Sequence, residues 1–272
     1  MIGLWWLMAC GTPTETPAEP PIVPGPVERA VRFVEGPAGP VLEVAADRYV
    51  HRDGGEVLLL GTVHVADPAF YTVSVARLEE LDAVLVEGLV DDVEPLPPVE
   101  SSTANVLGLQ HQGAIDVDRP GWSVRDLAES DLQARMRADG IPELTIRQLL
   151  VDDPGTSRAD LPDDARGTAL ARLRYMWDVS AEETGPVWKA YMLGMRDAHV
   201  VDGVSSTGRT AVWFGADHLG GMGELLHERG WSHVERVWTP AIATSYSELE
   251  LGPVQVQQLV DGWASRGIDV LP

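Results

Sequence analysis

The sequence predicts an α/β domain: a central, mostly parallel or mixed β-sheet flanked by helices. It carries a helical insertion between a first βαβ unit and a C-terminal strand-helix-strand unit. Three observations predict this. Two short apolar runs, Glu56-Leu60 and Ala83-Val86, bracket a stretch with helical spacing. A third run, Ala211-Phe214, precedes a second such stretch and a further strand-like run. Between about 100 and 200 the apolar residues recur with helical rather than alternating period.

Taken in order, Val31-Phe33 and Val41-Val44 flank a Gly-Pro-rich turn and read as a hairpin. Tyr49-His51 and Val57-Leu60 flank Asp53-Gly54-Gly55 and read as a second. Glu56-Leu60 has the continuous apolar character of a strand buried on both faces. Asp67-Pro68 is an N-cap followed by proline at the first helical position, and Val75, Leu78 and Leu81 supply the apolar face of the helix. Ala83-Val86 closes a βαβ unit of about 30 residues. Such a unit joins parallel strands, and the two are expected to be neighbours. The helix candidates that follow are Val124-Ala138, Ile141-Leu150, Arg166-Trp177 and Val187-His199, with Asp152-Asp164 a loop. Ala211-Phe214 is a strand, Met222, Leu225 and Leu226 mark a helix ending at Gly230, and Val234-Val237 is a strand. Leu249-Leu251, Val254-Val260 and Trp263 form a C-terminal helix.

Of 272 residues, 44% are hydrophobic, enough to bury a sizeable core. Twenty Lys+Arg against 42 Asp+Glu leave a net charge of −22, which repels phosphate backbones and argues against nucleic acid as a partner. The one cysteine, Cys10, excludes an intramolecular disulfide and a zinc site built on several thiolates. Any metal must then be held by His, Asp or Glu, and seven histidines are available. Ile2-Ala9 is apolar but far shorter than the ~20 residues that span a bilayer as a helix. It ends Leu7-Met8-Ala9-Cys10-Gly11, which resembles a bacterial lipobox. Residues 1–10 are therefore expected to be a lipoprotein signal segment, with Cys10 lipidated and the protein anchored to a membrane of the cell envelope. No Lys or Arg precedes the apolar run, so a cytoplasmic protein with an unstructured start is the alternative, and whether Met1 is the true start stays open. Residues 11–40 hold eight of the 20 prolines and read as a tether; 41–272 is the folded domain, with the insertion at about 100–200.

The candidate chemistry lies at strand ends. His64 follows the first strand as Gly61-Thr62-Val63-His64, and His218 follows the third as Gly215-Ala216-Asp217-His218. Glu87 ends the strand Ala83-Val86. Ligands of open α/β sheets bind beyond the carboxyl ends of the strands. Two imidazoles and a carboxylate meeting there would hold a divalent cation with positions left for water and substrate. Asp217 is a candidate for fixing the His218 tautomer. His111, in the insertion, is a candidate for facing the cleft. The groups Tyr175-Met176-Trp177 and Trp188-Tyr191-Met192 fit a core face better than a cofactor pocket. His199, His227 and His233 show no partner pattern.

Over about residues 41–240, the blocks LLLGTVHVADP, VLVEG, MRD and VWFGADHLGGMGELLHERGW resemble the TraB family (TraB/PrgY/Tiki), within the erythromycin esterase/ChaN-like superfamily. Members often carry Glu-Arg-Asn with a Met three residues after the Asn. Here Met195-Arg196-Asp197 stands in that place, with Val200 at the Met position, so the arginine matches and its flanking residues do not. The resemblance implies a peptidase-like hydrolase dependent on a divalent metal (Mn, Co or Zn). In it His64, Glu87 and His218 would hold the metal, Glu87 would ligate it or activate water, and Arg196 would stabilise an oxyanion or orient a carboxylate. The substrate would be a peptide or small acyl compound. Two other readings share the same residues. One is a non-catalytic protein that sequesters a peptide signal or haem. The other is a metal-free hydrolase in which His and Glu act as acid and base. Oligomeric state is not legible.

Overall fold

A computed structural model of the chain describes residues 29–88, 102–150, 164–181 and 185–265. The expected α/β class is what forms. The chain opens with strands β1 (Val31–Glu35), β2 (Pro40–His51) and β3 (Glu56–Thr62), consecutive antiparallel neighbours. A short strand β4 (Val65–Ala66) leads into helix α1 (Pro68–Leu78) and strand β5 (Ala83–Val86). The insertion contributes α2 (Ser102–Leu107), β6 (Gln110–His111), β7 (Trp122–Val124), α3 (Glu129–Ala138), α4 (Glu143–Leu150) and α5 (Ala165–Ala181). One helical run then passes through α6 (Pro186–Trp188), a π-helical stretch (Lys189–Met195) and α7 (Arg196–Val201). The C-terminal unit is β8 (Arg209–Gly215), α8 (His218–Glu228) and β9 (Trp231–Ala243), followed by α9 (Tyr246–Leu249) and α10 (Pro253–Ala264).

The main sheet runs β1-β2-β3-β8-β5-β7, with β9 paired along β2. β3, β8, β5 and β7 are parallel; β1, β2 and β9 join antiparallel. Along one edge β2 serves two partners in succession, β1 through Pro40–Val44 and β3 through Ala46–Val50, while β9 runs along Val41–His51. β9 is interrupted by two register shifts and carries Pro240, devices that blunt a strand against edge-to-edge pairing.

The sheet order corrects one expectation. β3 and β5 are not neighbours, because β8 lies between them and pairs with both. The reason is burial. Thr210 to Phe214 of β8 are all buried, Trp213 and Phe214 completely, so this strand belongs at the centre, where both its edges and both its faces are covered. A second correction concerns Val124-Ala138. Its first part is not helical: Trp122–Val124 forms the strand β7, parallel to β5, and the helix begins at Glu129. Trp and Val suit a pleated surface, and the open edge of β5 outweighs the helical spacing of so short a segment. The first hairpin also enters the sheet from inside the expected tether, since β1 lies wholly before residue 41. The expected loop at 152–164 falls almost wholly outside the described residues, as do Cys10 and the signal segment. No helix among the described residues is long and apolar enough to cross a membrane.

Two apolar clusters hold the molecule together. The larger surrounds the sheet and includes Leu59, Tyr71, Trp213, Phe214 and Met176; Tyr175 and Trp177 lie on the same helix as Met176, and Trp177 meets Phe33 edge-on. The smaller joins Leu132, Met136, Ile146 and Met192, flanked by Trp188 and Tyr191. Both aromatic groups noted in the sequence thus serve the core.

Candidate active site at the carboxyl rim of the sheet

Parallel register lines up the ends of four strands. Thr62 stands opposite Gly215, Val86 opposite both Trp213 and Val124. The chain leaving each strand stays bonded to its neighbour: the Ala216 amide donates to the Thr62 carbonyl, Glu87 to Trp213 and Arg125 to Val86. The next side chains along these strands therefore emerge at one rim. Because β8 sits between β3 and β5, Glu87 lies beside the β8–α8 turn. One of its oxygens accepts a 2.6 Å hydrogen bond from the Gly215 amide, and the other lies 3.5 Å from His218 Nε2.

Arg196 enters from α7, directly after the π-helical stretch; π-turns are frequent at functional sites. Its guanidinium pairs with Asp126 through two bonds of 2.9 and 2.6 Å, donates to Glu87 at 2.8 Å and to the Met192 carbonyl at 3.2 Å, and lies 3.3 Å from His218 Nε2. Asp126 has no exposed side-chain surface and also accepts from the Gly88 and Leu127 amides, so both its oxygens are saturated. The opposite ring nitrogen of His218, Nδ1, lies 2.5 Å from Asp197. The result is a closed chain of five ionisable groups, Asp197, His218, Glu87, Arg196 and Asp126. Glu87, with 12% of its side chain exposed, is the most accessible of them.

This packing sets the charges. Burial alone would raise the Glu87 pKa, but the hydrogen bond and charge of His218, the charge of Arg196 and the Gly215 amide hold it well below the usual carboxylate range. Burial would lower His218; the hydrogen bonds to Asp197 and Glu87, and the charges of both, outweigh it and push the imidazole up to about 9. Burial dominates at Asp197 and raises it despite His218. At neutral pH the rim therefore presents a firm carboxylate at Glu87 and a proton-bearing imidazole at His218.

Of the residues expected from the sequence, Glu87, Arg196 and His218 come together. His64 is at the same end of the sheet, but its side chain is exposed and stacks on His111, with ring centroids 6.5 Å apart, and makes no hydrogen bond or ion pair with the cluster. Val65 pairs with His111 across β4 and β6, which explains that contact. Asp217 is exposed at the N-cap of α8, and the partner of His218 is Asp197 instead. Asp197 and Asp126 were both missed. Asp197 follows Arg196 at the position where the Glu-Arg-Asn pattern breaks, so the break itself was the signal. Asp126 lies two residues past β7, mirroring the acid that follows β5.

Two glycines of α8 show how the sequence makes room. A Cβ on Gly221 would lie 2.2 Å from Asp197 Oδ2, and one on Gly223 would lie 2.4 Å from the Tyr49 hydroxyl. Glycine costs a helix up to about 1 kcal/mol relative to alanine. Here it lets α7 and the strand β2 approach α8 closely enough to seat Asp197 on His218.

The groups present do not fit the divalent cation that the family resemblance implies. Both Glu87 oxygens and both Asp126 oxygens are engaged, and His218 Nε2 faces a guanidinium. A divalent ion ~4 Å from that guanidinium would be repelled by about 8 kcal/mol at an effective dielectric of ~20. Among the described residues, no three His, Cys, Asp or Glu side chains are arranged to hold a metal. Comparison with protein-family models, with curated proteins and with solved structures gave no match to this chain.

Proposed function

We propose that the rim cluster is the acid–base site of a hydrolase acting on an acyl bond of a peptide or small substrate. The observation that carries this reading is the opposed pair at the rim: Glu87 lies 3.5 Å from His218 Nε2, with Asp197 2.5 Å behind the ring at Nδ1. Two neighbouring groups whose environments drive them to opposite protonation states suit general base and general acid roles. In this reading, Glu87 takes a proton from water, and the water oxygen bonds to the acyl carbon. His218 Nε2 gives its proton to the departing nitrogen or oxygen as the acyl bond breaks. The proton then passes from Glu87 back to Nε2, which restores both groups. Asp197 keeps Nδ1 protonated and the ring oriented. Arg196 positions Glu87 and, held by Asp126, keeps its own charge at the rim. The resemblance of the GTVH and GADH blocks to a hydrolase-bearing family supports the same reading. A lipid anchor at Cys10 would place the site at a membrane surface of the cell envelope, a proposal that the mass of the membrane-extracted N-terminal peptide tests separately.

The test is hydrolysis of an activated ester and of a quenched peptide library by wild type, Glu87→Gln and His218→Gln. Loss of one acid or base should cost 10²- to 10⁴-fold in kcat/KM. Turnover unchanged in both variants would refute the assignment. Saturable peptide binding without turnover would favour the sequestering alternative.

A further inference from the structure

The rim cluster holds more negative charge than positive, and its arginine has nothing left to offer a substrate. A guanidinium has five N–H donors. Those of Arg196 go twice to Asp126, once to Glu87 and once to the Met192 carbonyl, and the fifth is shut in against the His218 ring, 3.3 Å away. None remains for a carboxylate or an oxyanion. Asp197 and His218, 2.5 Å apart, cancel as a pair. Arg196 offsets one of Glu87 and Asp126, so one unit of negative charge is left over. Glu87 is the group that shows it: 12% of its side chain is exposed, against 7% for Arg196, 4% for His218, 2% for Asp197 and none for Asp126. Arg125, beside Asp126 in sequence, packs instead on Gly203, where an added Cβ would lie 2.8 Å from its Nε. Asp217, exposed at the N-cap of α8, adds a further carboxylate to the turn that carries His218. The whole chain stands at −22, so its long-range field has the same sign.

We propose that this site takes acyl substrates with a positive charge beside the scissile bond, such as a peptide with lysine or arginine there, and turns away those with a carboxylate in that place. This rests on the hydrolase reading and names its substrate class. It also replaces the role that the family resemblance gives Arg196, because a guanidinium with no spare donor cannot orient a substrate carboxylate. The selection is made by the field of the cluster and not by a bond to Glu87, so that carboxylate stays open to water. One unit charge a few ångströms away, partly screened by solvent, is worth about tenfold in affinity.

The experiment uses the full chain and three libraries of quenched fluorescent peptides, alike except that one fixed position holds Lys, Gln or Glu. Turnover and equilibrium binding by fluorescence anisotropy are measured for wild type and Glu87→Gln. Wild type should prefer Lys to Glu by at least about tenfold, with Gln between them, and the ratio should shrink when salt is raised from about 20 mM to about 500 mM. Glu87→Gln removes the surplus charge, so its binding should discriminate about threefold or less. Asp126→Asn removes one charge as well and replaces Glu87→Gln if circular dichroism shows the latter unfolded. Charge-selective binding without turnover of any peptide would refute the hydrolase reading and leave the preference for cations standing. Turnover of Lys and Glu peptides at equal rates would do the reverse. Wild type that binds both equally, or neither, overturns the proposal; so does a preference that survives undiminished in the folded variant, which would place its origin elsewhere on the acidic surface.

Discussion

Replacing Gly221 with alanine sets two effects of opposite sign against each other. Gly221 lies inside α8, where alanine is normally the better residue by about 1 kcal/mol. A surface-like helix position would therefore gain stability. The structure puts the new methyl carbon 2.2 Å from Asp197 Oδ2, roughly 1 Å inside ordinary contact. Asp197 is buried and its other oxygen holds His218 at 2.5 Å, so relief requires either α7 to shift or the carboxylate to leave the imidazole. Separating a buried charged pair costs ~3–5 kcal/mol. The net expectation is a loss of about 2–4 kcal/mol. Urea unfolding measured on wild type and Gly221→Ala gives the difference from the midpoints at a common slope. Double substitution with Asp197→Ala should recover most of the loss caused by the methyl group, because the clash partner is gone. A more stable Gly221→Ala, or one no less stable than wild type, would refute the claim that α8 is glycine-rich to seat Asp197.

Two further predictions concern the network. His218 is raised from 6.5 to about 9 in the folded chain, so its contribution is fully present below about pH 6.5 and is lost as pH rises through 9. The shift corresponds to about 3 kcal/mol, which should appear as a drop in unfolding free energy between pH 6 and pH 10 that is absent in His218→Asn. Asp126→Ala leaves Arg196 buried with half of its ion pairing gone and should cost about 3–5 kcal/mol by urea unfolding, with Asp126→Asn in between; equal stability of all three would show that Arg196 is held without it.

Much of the fold was legible because its strands are short apolar runs with clear stops. Glu56-Leu60, Ala83-Val86 and Ala211-Phe214 all became parallel strands, and both early turns became hairpins. What the runs could not convey was their order in space. Hydrophobic pattern tells how deeply a strand is buried but not which strand lies beside it, and β8, distant in sequence, took the central place. β7 was hidden because three residues are too few to separate a strand from the start of a helix. At the site, Glu87 and His218 were readable from their positions at strand ends, and Arg196 from the family resemblance. Asp126 and Asp197 were not, since each acts through a partner more than 20 residues away. His64 shows the converse: its spacing matched that of His218, yet the short β4–β6 pairing holds it against His111.

The central claim is that His218 sits between two carboxylates as a proton-bearing imidazole at neutral pH. ¹⁵N-histidine nuclear magnetic resonance of the full chain measures this without a substrate. His218 is expected to titrate near 9, and Asp197→Asn and Glu87→Gln each to lower that value. A His218 that titrates near 6.5 and does not respond to either substitution would contradict it.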